Sequence, residues 1–251
     1  MTEFYNFKYY LFIMVASGRG YYSLSLERDE LNRYFGGGIP KSSLILLEGV
    51  DGAGKSILCQ RFTYALLNNG ATITYLSTEL NTLDFIKQMD SIKYSVSKHM
   101  LDRNLLFLTM VPFLGKVKFD EDEDFVDRII KEKSIFESDI IIFDTMSFLL
   151  IKKNDTDEAY FKIVNFFRNL NNLNKTVLFT IDPTHLDEKF LTLLRSVADL
   201  YINCEVKSFA GEIVRAMSIK RFKRPMDLYM SSIPFRVEPA EGVIIEIGGF
   251  S

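Results

Sequence analysis

Gly49-Val50-Asp51-Gly52-Ala53-Gly54-Lys55-Ser56 fits the phosphate-binding pattern G-x-x-x-x-G-K-[ST] at every fixed position. Each fixed residue has a separate task on a nucleoside triphosphate. The glycines let backbone N–H groups curl around phosphate oxygens with no Cβ in the way, Lys55 supplies a point charge for the β/γ-phosphates, and the Ser56 hydroxyl is placed for Mg²⁺. The flanks agree. Leu44-Ile45-Leu46-Leu47 is a short apolar run of the kind that forms a buried parallel strand. Beyond the loop, Ile57, Leu58, Phe62, Ala65 and Leu66 keep helical spacing up to Gly70, a helix stop. A strand, a glycine loop and a helix N-terminus together make an anion site. The candidate nucleotide contacts are therefore Gly49, Val50, Asp51, Gly52, Ala53, Gly54, Lys55, Ser56 and Ile57.

Outward from the loop, strands and helices alternate. The spacing predicts strands over 72–77, 105–111, 139–144 and 176–181, and helices over 82–100, 157–172 and 184–197. The acidic block Asp120 to Asp124 leads into a further helix through about 135. After 200 only strands follow, near 200–206, 213–222, 227–237 and 242–247. The βα alternation implies an α/β fold: a mostly parallel sheet with helices on both faces and antiparallel C-terminal strands.

Two carboxylates stand where such a sheet would deliver them to the loop. Ile140-Ile141-Ile142-Phe143-Asp144 is a buried strand with a terminal Asp, so Asp144 is the candidate partner of Ser56 in ordering Mg²⁺. Glu79 ends the strand after the loop helix, behind Tyr75-Leu76-Ser77-Thr78. It fits two roles: orienting the water that attacks the γ-phosphate, or acting as a helix-start acid. Thr180, at the end of the fourth strand, is a further candidate phosphate contact.

Composition sets the limits. The chain has 251 residues, is 47% hydrophobic and carries 22 Phe and 12 Tyr, which supplies a sizeable core and excludes global disorder. The formal net charge of −3 speaks against a nucleic-acid coat. Cys59 and Cys204 lack metal or redox spacing, consistent with a reducing compartment. The histidines, His99 and His185, are 86 positions apart and suggest no zinc. The apolar run from Tyr9 to Ala16 is too short to span a bilayer, and only Lys8 precedes it closely. Residues 1–24 read as an extension ahead of a domain over 25–251, with Met14 an alternative start to Met1.

The segment from Leu31 through Gly36-Gly37-Gly38-Ile39-Pro40 into the loop resembles the opening of the RecA/KaiC superfamily. Within it the chain is most similar to the archaellum accessory ATP-binding family, the FlaH/ArlH type, on Tyr75 to Glu79, Ile142 to Ser147, the overall length and the single domain. The resemblance covers about residues 25–250. It implies a RecA-like three-layer fold, ATP with Mg²⁺ bound at Gly49 to Ser56, Asp144 as the second metal-site residue, and Glu79 at the superfamily's catalytic position. It also implies little or no ATP turnover. The expected assembly is a ring beneath a motor ATPase, with membrane-associated scaffold partners, at the cytoplasmic face of the cell membrane. Lys220 and Arg221, in the run Lys220-Arg221-Phe222-Lys223-Arg224, fall where KaiC-like rings reach a neighbour's nucleotide; a solvated basic edge fits that run equally.

One rival shares the loop. Glu48 to Ser56 is also similar to the phosphate loop of thymidylate kinases. Those enzymes continue with an Arg-Glu-Pro segment and an arginine-rich lid; this chain has Thr78-Glu79-Leu80-Asn81 and an acidic run instead. A DNA recombinase-like ring would need basic channel loops, which the acidic block and negative charge disfavour.

Overall fold

The β-rich runs after residue 43 assemble into one nine-stranded sheet. The computed structural model describes residues 20–27, 29–110, 131–147, 157–209 and 212–246; the Tyr9–Ala16 run and the acidic block lie outside them. In chain order the elements are β1 Tyr21–Tyr22, α1 Leu31–Tyr34, β2 Ile39–Pro40, β3 Leu44–Glu48, α2 Lys55–Asn68, β4 Ile73–Ser77, α3 Thr82–Ser91, α4 Ser97–Leu101 and β5 Leu105–Thr109. They continue as β6 Ile140–Asp144, α5 Asp157–Asn172, β7 Thr176–Ile181, α6 Glu188–Val197, β8 Leu200–Phe209, β9 Glu212–Phe222, β10 Ser232–Glu238 and β11 Gly242–Ile245.

The sheet order is β11-β10-β9-β8-β3-β7-β6-β4-β5. Strands β8 through β5 in that order run parallel, and β9, β10 and β11 add antiparallel pairs at one edge. Side chains alternate between the two faces of a strand, and two core clusters follow that parity. Ile45, Leu47, Ile73, Tyr75, Ile140, Ile142 and Leu178 pack on the face covered by α2 and α3. Leu44, Leu46, Leu76, Ile141, Phe143, Val177 and Phe179 pack on the other face, with α5 and α6. The fold is the three-layer α/β sandwich expected from the alternation. Among the described residues no helix is long and apolar enough to cross a membrane.

Two helices differ from their expected bounds. The expected helix over 82–100 breaks after Ser91 because Lys93 enters the left-handed region at φ 57°. The Tyr94 N–H bonds Met89 O at 2.8 Å and the Lys93 N–H bonds Asp90 O at 3.0 Å, which closes the helix end as a glycine usually would. The expected start at 184 moves to Glu188, since Asp187 is the cap that accepts from the Phe190 N–H at 2.9 Å.

The chain ahead of β3 is pinned to α2. Arg61 is fully buried and meets Asp29 with Nη2–Oδ1 at 2.7 Å, while a second bond reaches the Leu24 carbonyl at 3.1 Å. Strand β1 pairs with β2, so Gly20 to Leu24 lie against the domain.

Candidate functional site

Strand parity and register build the site. In β6, Ile140 and Ile142 face α2, so Asp144 faces it too. The same count in β4 and β7 puts Tyr75, Ser77 and Thr180 on that face. Register brings Asp144 opposite Ser77, and Phe143 opposite Phe179, so Thr180 comes level with Asp144. Strand β3 lies beside β7, and its end opens into the glycine loop.

The loop then turns into α2. Gly54 caps the helix at φ 91° and Gly52 sits at φ 74°, both in the region that favours glycine. Gly49 is needed for a different reason. A Cβ there would stand 2.7 Å from the Cys204 carbonyl oxygen of β8. Lys55 is buried and donates to the Val50 carbonyl at 2.9 Å, inside the concavity where a phosphate chain would lie. The Ser56 hydroxyl donates to Asp144 Oδ1 at 3.0 Å.

Asp144 is held from several sides. Thr180 donates to Oδ1 at 3.0 Å and Tyr75 donates to Oδ2 at 2.6 Å. The hydroxyl of Thr180 is thus committed to Asp144 and not to a phosphate. Glu79 sits across the cavity. It lies two residues ahead of Asn81, which is the true cap of α3, and its carboxylate accepts from the Thr145 hydroxyl at 3.0 Å. Although Glu79 is exposed as a residue, the wall desolvates its carboxyl. That burial, with the nearby Asp144 charge, pushes its pKa above the ordinary glutamate value.

The resulting cavity has a volume of about 380 Å³ and is lined by Asp51, Gly52, Gly54, Lys55, Ser56, Ile57 and Glu79, with Arg215 and Val237 opposite. Among the described residues no group of three or more His, Cys, Asp or Glu could hold a metal alone. The hard oxygens of Ser56 and Asp144 do fit Mg²⁺, which takes one or two carboxylates and completes its shell from phosphates and water. These two residues would hold it, and it would neutralise phosphate charge there.

Comparison with known proteins agrees with this geometry. A model of the KaiC ATPase family matches residues 29–248. The archaeal flagellar ATP-binding protein FlaH of Methanocaldococcus jannaschii is 37% identical over 225 residues, 89% of this chain and 95% of that protein. Its counterpart in Methanococcus voltae is 35% identical over 228 residues, 90% and 97% of the two chains. This chain belongs to the FlaH family of KaiC-type ATPases. The crystal structure of the flagellar accessory protein FlaH from M. jannaschii superposes with a TM-score of 0.82, at 35% identity over 91% of this chain and 100% of that one. A KaiC-like protein from Pyrococcus horikoshii, at 16% identity, shares the fold with a TM-score of 0.67 over 91% and 99% of the chains.

In this FlaH-family chain the remaining sequence candidates lie apart from the loop. β9 runs antiparallel to β8, and Arg221 stands opposite Tyr201, which pairs with Leu46 in the middle of β3. Lys220 pairs with Glu205 at 3.1 Å, and Arg221 donates to the Arg195 carbonyl at 2.6 Å at the end of α6. The far end of β9 supplies Arg215, which donates to the Gly52 carbonyl at 3.1 Å. Sequence reading missed Arg215, Tyr75 and Thr145. Parity and the strand end could have singled out Tyr75 and Thr145. Nothing local marks Arg215, which reaches the loop across 163 positions.

Proposed function

We propose that this chain binds Mg-ATP at Gly49 to Ile57, with Ser56 and Asp144 at the metal, and acts as a nucleotide-controlled component of an archaellum motor. The observation that carries it is one cavity lined by Lys55, Ser56 and Glu79, with Asp144 Oδ1 3.0 Å from the Ser56 hydroxyl. The family's FlaH members are named as flagellar ATP-binding proteins, which supports the same reading. Glu79 is the candidate base or water-orienting group; burial and the Asp144 charge raise its pKa, which makes it a better proton acceptor than an ordinary glutamate. Turnover is slow, and bound ATP serves chiefly to switch assembly.

The assembly is a ring of identical chains, in which Lys220 and Arg221 approach the neighbour's nucleotide. It docks on a larger motor ATPase and membrane-associated scaffold proteins at the cytoplasmic face of the cell membrane. The ATP-binding domain over 25–251 also takes in β1 and Leu24. Calorimetric titration with ATP and Mg²⁺, alongside turnover and native mass, tests the reading. Tight Mg-ATP binding with weak hydrolysis and ATP-dependent oligomers is expected. Absence of ATP binding by the folded protein would overturn it, and phosphorylation of a nucleoside monophosphate would replace it with a kinase.

A further inference from the structure

We propose that Tyr75 is a positioning residue that sets the Asp144 carboxylate for the metal of the bound nucleotide, an inference that rests on the nucleotide reading above. The two oxygens of Asp144 have different surroundings. Oδ1 takes the Ser56 and Thr180 hydroxyls, each at 3.0 Å, and so belongs to the loop side. Oδ2 takes the Tyr75 hydroxyl at 2.6 Å, inside the core. A partial turn of the carboxylate about its Cβ–Cγ bond would stretch the Tyr75 bond on one side and the Ser56 and Thr180 bonds on the other. The hydroxyl therefore fixes the plane in which the carboxylate meets the metal.

Tyr75 can do this because it is itself held. It is fully buried, and its ring packs on Phe85 at 5.0 Å and on Phe107 at 5.7 Å, while those two stack on each other at 4.2 Å. Register explains the reach. Ser77 lies opposite Asp144, so Tyr75 starts two residues back along the neighbouring strand and crosses the diagonal with its long side chain. Diagonal neighbours on adjacent strands lie within reach of aromatic side chains but not of short ones. Phe85 belongs to α3, which starts three residues after Glu79, so the same aromatic cluster also backs the segment carrying the second carboxylate. Groups that hydrogen-bond a metal-site carboxylate from behind fix its orientation, and their loss commonly costs about 10- to 100-fold in metal affinity.

The test separates the hydroxyl from the packing. ATP affinity is measured by calorimetry in EDTA and across a Mg²⁺ titration for wild type, Tyr75→Phe and Phe107→Leu. Tyr75→Phe keeps the ring and removes the hydroxyl; Phe107→Leu loosens the cluster and keeps it. The expected result is metal-free ATP affinity within about twofold in all three, with the Mg²⁺ concentration for half-maximal enhancement raised about tenfold in Tyr75→Phe alone. A Tyr75→Phe protein with wild-type Mg²⁺ dependence overturns the inference. An equal shift in Phe107→Leu also overturns it, since loosened packing would then suffice. Wild-type protein that binds no ATP would overturn the nucleotide reading, and this inference with it.

Discussion

Replacing Lys55 by alanine should cost ATP affinity heavily while sparing the fold, and the structure allows the size of each effect to be worked out. Lys55 is the first residue of α2, is buried, and donates to the Val50 carbonyl at 2.9 Å. On a triphosphate its ammonium would form charge-assisted hydrogen bonds, worth about 1.5–3 kcal/mol each. A unit charge about 4 Å away near a protein surface gains at most about 4 kcal/mol. The ligand must first displace the Val50 bond, worth about 1 kcal/mol. The net loss in Lys55→Ala is then about 2–3 kcal/mol, or roughly 30- to 150-fold in Kd. Stability should move by no more than about 1 kcal/mol, because the freed carbonyl faces water in the cavity and alanine is the best helix former. The Lys55 charge also lowers the pKa of Glu79, so its removal should carry the raised Glu79 value further up. The assay is ATP titration by calorimetry, with circular dichroism and urea unfolding on the same samples. An affinity within about threefold of wild type, in a normally folded variant, would refute the placing of Lys55 at the phosphates.

Gly49→Ala should destabilise the protein by about 1–3 kcal/mol and disturb ATP binding, because its Cβ meets backbone 2.7 Å away; urea midpoints and ATP titration check both. Gly52→Ala meets nothing within 4 Å and should show only the cost of its positive φ, about 1–2 kcal/mol. For Glu79, burial raises the folded pKa, so its contribution to stability is full below the unfolded value of 4.5 and is lost as pH rises through the raised one. Glu79→Gln should match wild type near pH ~4 and gain on it towards pH ~7 in urea midpoints. Wild-type turnover should sit below the roughly 1–100 s⁻¹ of kinases, and fall further in Glu79→Gln. Lys220→Glu should weaken Mg-ATP-dependent oligomers more than ATP binding, as read by native mass, since its surface pair with Glu205 is worth only about 0–1 kcal/mol to the monomer. Asp29→Ala leaves the buried Arg61 guanidinium without its carboxylate and should cost about 3–5 kcal/mol by chemical denaturation; a loss under about 1 kcal/mol would show that this pair does not anchor the chain ahead of β3.

Much of this protein is written locally in its chain. The glycine loop between Leu44–Leu47 and the helix from Lys55 needs only neighbouring residues, because steric freedom at Gly52 and Gly54 and the helix N-terminus are short-range properties. The alternation of apolar runs likewise determined the parallel sheet, and the terminal Asp of 140–144 marked its loop-side edge, since a buried strand tolerates a charge only at its end. Tertiary structure decided what meets what. The register of β4 on β6 brings the Tyr75 hydroxyl to Asp144, and β9, folding back beside β8, lays Arg215 over Gly52 while turning Lys220 towards Glu205. The helix break at Lys93 and the cap at Asp187 also escaped the periodicity, because one rests on a left-handed lysine and the other on a side-chain bond. Strand order and register are set by the burial of whole faces against α2, α3, α5 and α6, a sum over contacts far apart in sequence that no local pattern contains.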